Sequence, residues 1–411
     1  MYNNLPKMSK KNILITQNHM VNLGGSELVT LELIDFFLEN KANVYLYVAI
    51  MGGEVEKLLK KRKGVTICIA NTSSLKIDKI NFEYVIIHHS LIPESLLWRV
   101  YNGKFNGKII WQHMSSYLVL EQPFLHKLES EISDIVLFNS KETEIELSKR
   151  INIPKEKKMV FANPVPDYFY KQTRNNSTQL KKVLVISNHP PIEVIKALDL
   201  LSKEGIETEI VGIKNKQKVV NPNLLINADV VISIGKTVQY CIAVNTPIYC
   251  YDHFGGPGFL NSTNFAMAKK YNFSGRGFKE KTATVIYREI KNQHLQSQKD
   301  INTIRKKHGE EFKLSVTMQV LFDKLKKTRH TPKKPSIYDI YSAIDIQEIR
   351  VSDIQTIYFQ NQSINKYTDA IVSHREALKR HKNDLDYVRS SASWKITKPL
   401  REVRNLTKKK K

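Results

Sequence analysis

Residues Asn12–Ile50 read NILITQNHMVNLGGSELVTLELIDFFLENKANVYLYVAI. The β-branched run Asn12–Thr16 predicts a strand. A polar loop then closes on Gly24-Gly25-Ser26 and opens an apolar helix from Glu27 to about Glu39, with Ser26 placed as its N-cap. Asn43–Ile50 predicts a second strand. This unit sets the pattern for the first half of the chain, where further strands are predicted at Val65–Ile69, Tyr84–His88, Lys108–Trp111, Asp134–Phe138 and Met159–Phe161. Strands alternating with helices imply a parallel sheet covered on both faces. Runs such as VIIHH and DIVLF suit strands buried on both sides.

The stretch Lys171–Lys181 (KQTRNNSTQLK) is polar and aperiodic and reads as a linker. Beyond it the alternation restarts, with strands at Lys182–Ile186, Glu207–Val211, Asp229–Ile234 and Pro247–Tyr251. Helices are placed at Ile192–Lys203 and through Val244, and a helix-rich segment, about Asp300–Leu325, closes this second unit. After the break Thr331–Pro335 the alternation stops. Ile357, Ile364, Ile371, Leu378 and Leu385 recur every seven residues, a heptad seam. Its companion positions, Gln360, Tyr367, His374, His381 and Val388, are mostly polar. The seam predicts a helical stem, either a homodimer contact or a solvated single helix.

The 411 residues carry 64 Lys and Arg against 40 Asp and Glu, a net charge of +24, which favours anionic partners. Nucleic acid is not among them, because no nucleic-acid module and no interleaving of aromatic with basic residues is present. At 41% hydrophobic the chain is globular rather than disordered. Cys68, Cys241 and Cys250 are odd in number and widely spaced, which argues against a disulfide framework or a zinc site and fits a reducing compartment. No signal-peptide core and no run of ~18 apolar residues is found, so a cytoplasmic location is expected. The ending SASWKITKPLREVRNLTKKKK is strongly basic. Pro399 can start a helix that puts Leu400, Val403 and Leu406 on one face, with Arg401, Arg404 and Lys408–Lys411 around it and Trp394 just upstream. That is the pattern of a helix lying on an anionic membrane; a solvated charged end is the alternative.

Three strand-to-helix loops carry candidate chemistry. Gly24 and Gly25 allow backbone to approach a ligand at a helix start, where amides attract anions. Gly235-Lys236-Thr237 repeats this arrangement with a cation and a hydroxyl added, placed where a phosphate would sit. It is not a Walker loop, since the Gly needed five residues earlier is Val230. Asp252 and His253 begin a Gly-rich loop at the end of a parallel strand, where such sheets bind ligands. They read either as a ligand-contacting acid–base pair or as a turn. His88, His89 and His113 follow strand ends in the first unit. Each is read either as a cleft residue or as a satisfied structural histidine. Adjacent histidines on a strand point to opposite faces, so they do not form a metal site.

The order of these motifs resembles family-4-type bacterial glycosyltransferases of the GT-B fold. The resemblance runs through GGSELVTLEL…NVYLYV, VIIHHS, KIIWQHMSS, SDIVLFNSKETEIELSKRINIPKEKKMVFANPVPDYF and ADVVISIGKTVQYCIAVNTPIYCYDHFGGPGFL, about three-quarters of the chain. It implies an α/β architecture of two Rossmann-like domains facing across a cleft: an acceptor domain at 1–170 and a nucleotide-sugar donor domain at 181–330. A coiled-coil stem and basic tail follow at 336–411. It implies retaining, metal-independent transfer of a sugar from a nucleotide-diphosphate donor to a glycan or lipid-linked acceptor. The setting would be assembly of a surface polysaccharide such as O-antigen or capsule, on the cytoplasmic face of the inner membrane. The ending S-x-S-W-K-I-T-K-P-L-R is similar to a short motif at the ends of enzymes of that assembly. The roles implied are His113 against the donor sugar, and Gly24, Gly25, Asn188, His189, Gly235, Lys236, Thr237, Tyr240, Asp252 and His253 around the donor, with no metal and no cofactor. Lys236 is expected to face solvent in the cleft.

The sequence departs from that family at two places. Retaining members carry two acidic residues eight apart, and Ile232 and Tyr240 stand there. The family's Arg/Lys pair in the second domain's first loop is replaced by Ser187-Asn188-His189-Pro190-Pro191. Either Gln239 or Tyr240 substitutes for the carboxylate, or the branch is divergent, or activity is lost. The last case leaves a non-catalytic GT-B-like binding or scaffold protein of the same pathway as the competing class.

Overall fold

The computed structural model describes residues 6–72, 77–212, 219–328, 335–391 and 394. Seven strands form the first sheet: β1 (Asn12–Met20), β2 (Asn43–Met51), β3 (Val65–Ile69), β4 (Tyr84–His88), β5 (Lys108–His113), β6 (Ile135–Phe138) and β7 (Lys158–Val160). Their order is β3-β2-β1-β4-β5-β6-β7 and every pairing is parallel. The second sheet contains β8 (Lys182–Ile186), β9 (Glu207–Val211), β10 (Val230–Ser233), β11 (Ile248–Asp252) and β12 (Gly255–Phe259), in the order β12-β11-β10-β8-β9. Both are doubly wound orders, which leave a crevice at the carboxyl ends where the strand order reverses. Ile13–Ile15 and Val183–Val185 are buried on both sheet faces, as continuous apolar runs require.

Four expectations change. First, β1 runs on to Met20, although Gln17 and Asn18 look like loop residues. Both are buried, and Gln17 donates from Nε2 to Thr30 Oγ1 at 3.2 Å. Second, Gly255–Phe259 is an antiparallel strand on β11 rather than a loop. Third, the helix over Gly25–Glu39 starts one residue before Ser26 and has Gly24 at its N-cap, with no side-chain cap. Fourth, the helix Leu314–Lys327, placed with the second unit by sequence, belongs to the first core. Leu314, Met318, Leu321, Phe322 and Leu325 pack there with Ile13, Ile15 and Ile34. The chain therefore crosses back at Lys313, which bridges to Val165, and the boundary at 330 lies beyond that crossing.

The helix Ile337–Ser390 begins against the body of the first sheet. Ile340 and Ala343 are buried, and Gln347 Oε1 accepts from the Ile92 amide at 2.5 Å. Both terminal nitrogens of Arg350 donate to the His89 carbonyl at 3.2 Å. Residues 353–390 form a separate unit, in which the heptad residues Ile357, Ile364, Ile371, Leu378 and Leu385 are all exposed. The expected membrane-binding residues Pro399–Lys411 lie outside the described residues. Among the described residues no helix is long and apolar enough to cross a membrane.

Candidate functional site

A cleft of about 880 Å³ opens between the carboxyl ends of the two sheets. Nearly every loop lining it follows a strand: His19 ends β1, Met114 follows β5, Asn139 follows β6, Asn188 and His189 follow β8, and Gly212 follows β9. Gly235, Lys236 and Thr237 follow β10, and Asp252 and His253 lie at the end of β11. Gly24 and Gly25 line it from the first domain. Nine of the eleven site residues read from sequence thus share one cleft, and Tyr240 and His113 are not among its lining residues.

The second-sheet wall differs from expectation in its charge. Gly235 sits at φ +57, a left-handed conformation that glycine adopts without strain, and turns the chain from β10 into the helix Lys236–Val244. Lys236 does not face solvent. Its Nζ lies 2.5 Å from Glu32 Oε2, on the first domain's leading helix, and donates to the Pro164 carbonyl at 2.6 Å. The Tyr240 hydroxyl donates to the other oxygen of Glu32, and the Tyr240 ring stacks on Phe169 at 4.4 Å. Tyr240 therefore holds the two domains together and is not placed to take a donor ribose. A partly exposed cation on this wall is Arg276, its side chain 22% exposed, which the sequence reading missed. Its Nε donates to Glu142 Oε1 at 2.8 Å and its terminal nitrogen to Glu142 Oε2 at 2.5 Å. The signal for it was Gly275-Arg276-Gly277, two positive-φ glycines holding one arginine at the rim. Asp252, its carboxyl pushed up by burial, lies 3.9 Å from His253. His253 Nε2 donates to the His189 carbonyl at 2.8 Å.

On the first-sheet wall His113 is corrected as well. It is fully buried, stacks on Phe138, and has Nε2 2.7 Å from Glu129 Oε1. It supports the floor of the cleft and does not reach a sugar from there. His88 is structural too, bonded at Nδ1 to Thr30 and at Nε2 to Gln112, with burial taking its pKa down to about 4. What the wall does present is His19, Glu27 and Glu121. Burial alone would lower the pKa of His19. Its bond to Glu27 and the charges of Glu27 and Glu121 outweigh that and raise it. Burial pushes Glu121 up to about 7.

No protein-family model and no curated protein matches the sequence. Among solved structures, a glycosyltransferase from Rickettsia africae superposes with a TM-score of 0.54 at 15% identity, covering 78% of this chain and 98% of that one. Anabaena HepE, in complex with UDP, gives a TM-score of 0.53 at 12% identity, covering 77% and 100%. The chain has the GT-B fold. The antiparallel β12 and the crossing of Leu314–Lys327 onto the first core are details of this GT-B chain that its sequence pattern did not show.

Proposed function

We propose that this protein is a glycosyltransferase that moves a sugar from a nucleotide-diphosphate donor to a glycan or lipid-linked acceptor in surface polysaccharide assembly. The observation that carries the reading is the cleft itself. Two doubly wound sheets turn their carboxyl ends to one cavity, and a helix start at Gly235–Thr237 and the guanidinium of Arg276 share its wall. Anionic charge on a leaving diphosphate is met there by backbone amides and an arginine, preorganised donors of the kind that dominate such catalysis. Metal-independent transfer belongs to the same proposal. Retention is implied by the family resemblance, and the family's carboxylate pair, which would hold the donor ribose, is replaced in this chain by Ile232 and Tyr240. The basic ending is proposed to hold the protein on the anionic cytoplasmic face of the inner membrane, beside lipid-linked acceptors.

Calorimetry with UDP and a panel of nucleotide sugars tests the reading. Saturable binding competed by UDP is expected, and no binding by any member overturns it. A non-catalytic GT-B-like scaffold is the second reading, favoured by the engagement of Lys236 with Glu32. It requires donor binding with no turnover.

A further inference from the structure

Arg276 reaches across the cleft to the first domain. It follows the helix Phe265–Lys270 and stands between Gly275 and Gly277, both at positive φ. Its partner Glu142 lies in the first turn of the helix Lys141–Leu147. Arg276 Nε donates to Glu142 Oε1 at 2.8 Å and a terminal nitrogen donates to Oε2 at 2.5 Å. The Tyr117 hydroxyl donates to the same Oε1 at 2.9 Å. The rings of Tyr117 and Phe254 are centred 4.5 and 5.7 Å from the guanidinium carbon, one from each domain. The Glu142 side chain is 5% exposed. Among the described residues lining the cleft, Lys236 is the other lysine or arginine, and Glu32 of the first domain takes it in the same way.

A guanidinium recognises carboxylate and phosphate by the same means, two parallel N–H bonds and opposite charge. Glu142 fills the fork formed by Nε and one terminal nitrogen, and its charge balances that of the arginine. A phosphate brought to that fork meets a carboxylate already in its place, and the two anions repel. We infer that Glu142 is a built-in competitor of the donor, whose diphosphate takes Arg276 by displacing the Glu142 carboxylate. The inference rests on the nucleotide-sugar reading. The exchange is one of hydrogen bonds and charge only, with no covalent step. The displaced carboxylate is not stranded, because the Tyr117 hydroxyl and the positive end of its own helix still stabilise it. Since Arg276 and Glu142 belong to different domains, capture of the diphosphate also unties the domains at this rim. A competitor of this kind lowers the apparent donor affinity by the fraction of molecules in which the arginine is released.

Calorimetry with UDP on the full-length protein tests this. Glu142→Gln keeps the shape of the side chain and removes its charge, and should bind UDP ~10-fold more tightly than the parent. Glu142→Asp keeps the charge but shortens the reach to the fork. It serves as the second variant, with a smaller gain in the same direction. In an Arg276→Ala background, Glu142→Gln should change UDP affinity by less than about 2-fold, because the competition needs the arginine. Thermal melts establish that each variant is folded before affinities are compared. Unchanged or weaker UDP binding by the folded Glu142 variants overturns the inference and leaves the donor reading standing. Equal tightening with and without Arg276 also overturns it, since Glu142 then only repels phosphate from a distance. If the parent fails to bind UDP and Glu142→Gln binds it, the competition is upheld in its strongest form. If neither binds UDP or any nucleotide sugar, the donor reading fails, and the inference falls with it.

Discussion

Glu32 and Lys236 meet as an ion pair between the two sheets, Nζ to Oε2 2.5 Å, with both side chains at least nine-tenths buried. Burial pushes the carboxyl up and the ammonium down, each toward its neutral form. The pair persists because Tyr240 and the Pro164 carbonyl complete its hydrogen bonds. The lysine that sequence offers as a phosphate ligand is thus a joint between domains.

Removing one partner of such a pair leaves an uncompensated buried charge. Lys236→Ala is therefore expected to cost about 3–5 kcal/mol of stability, read by urea unfolding. The double variant Glu32→Gln with Lys236→Met should be markedly less destabilised. A Lys236→Ala protein that unfolds like the parent but loses UDP affinity would show the lysine to be a ligand after all.

Arg276 is paired as well, with Glu142, but it lines the cleft with its side chain partly exposed, so its removal is read on ligand affinity in addition to stability. Its side chain is partly exposed and its guanidinium lies 4.5 Å over the Tyr117 ring, while Tyr117 shares Glu142 with it at 2.9 Å. Arg276→Ala should weaken UDP binding by roughly 10- to 100-fold, the equivalent of ~1.5–3 kcal/mol for a charge-assisted contact. Arg276→Lys should recover only part, because an ammonium lacks the planar fork. Calorimetry with UDP reads both.

His113 tests the floor of the cleft. Its imidazole and Glu129 are both fully buried and 2.7 Å apart. His113→Ala should lower stability by about 3–5 kcal/mol, because it leaves the buried Glu129 without its partner, and leave turnover per folded molecule close to the parent's. A turnover loss of ~10²-fold at unchanged stability would return His113 to the reaction.

Glu121 makes stability depend on pH. Its carboxyl is raised by burial from 4.5 to about 7, so the folded protein holds a proton that the unfolded chain has already lost. A raised carboxyl costs nothing below pH 4.5, costs progressively more as pH rises to about 7, and levels off above it. Glu121→Gln removes that cost. It should raise stability at pH 8 by at most roughly 3 kcal/mol and change little at pH 4.5. Thermal melts of the two proteins across that range check it.

The strands were legible wherever burial on both faces demands apolar runs, as in Tyr84–His88 and Lys182–Ile186. They were not legible where a different interaction does the stabilising. The extension of β1 is held by the bond of Gln17 to Thr30, and β12 is a Gly-rich edge with almost no side-chain pattern. The amphipathic face of Leu314–Lys327 announces that it is buried, but nothing local says against which sheet. The site followed the same division. Loops at strand ends could be placed from topology, so Gly24, Asn188, Gly235 and Asp252 share the cleft. Which charges stay available could not, because Glu32 neutralises Lys236 and Glu129 engages His113 only after the chain has folded.

The stem yields the last prediction. Ile357, Ile364, Ile371, Leu378 and Leu385 keep a strict seven-residue spacing and stand 51–68% exposed along one helix. A seven-residue apolar repeat drifts around a straight helix and stays in register only against a supercoiled partner. Large side chains spaced this way gain by burial, at ~25 cal/mol per Å² of apolar surface. A second copy of the same helix supplies a matching seam without any other protein. The full chain is therefore expected to sediment as a dimer at micromolar concentration. Replacing Ile364 and Ile371 together by lysine puts charges into successive seam layers and should give a monomer whose UDP affinity is unchanged. A chain ending at Ser352 should also be monomeric. It keeps Ile340, Ala343, Gln347 and Arg350, which pack against the body, whereas ending at Lys334 would strip them away. If the unaltered chain sediments as a monomer, the seam is a solvated face, and both variants will match it.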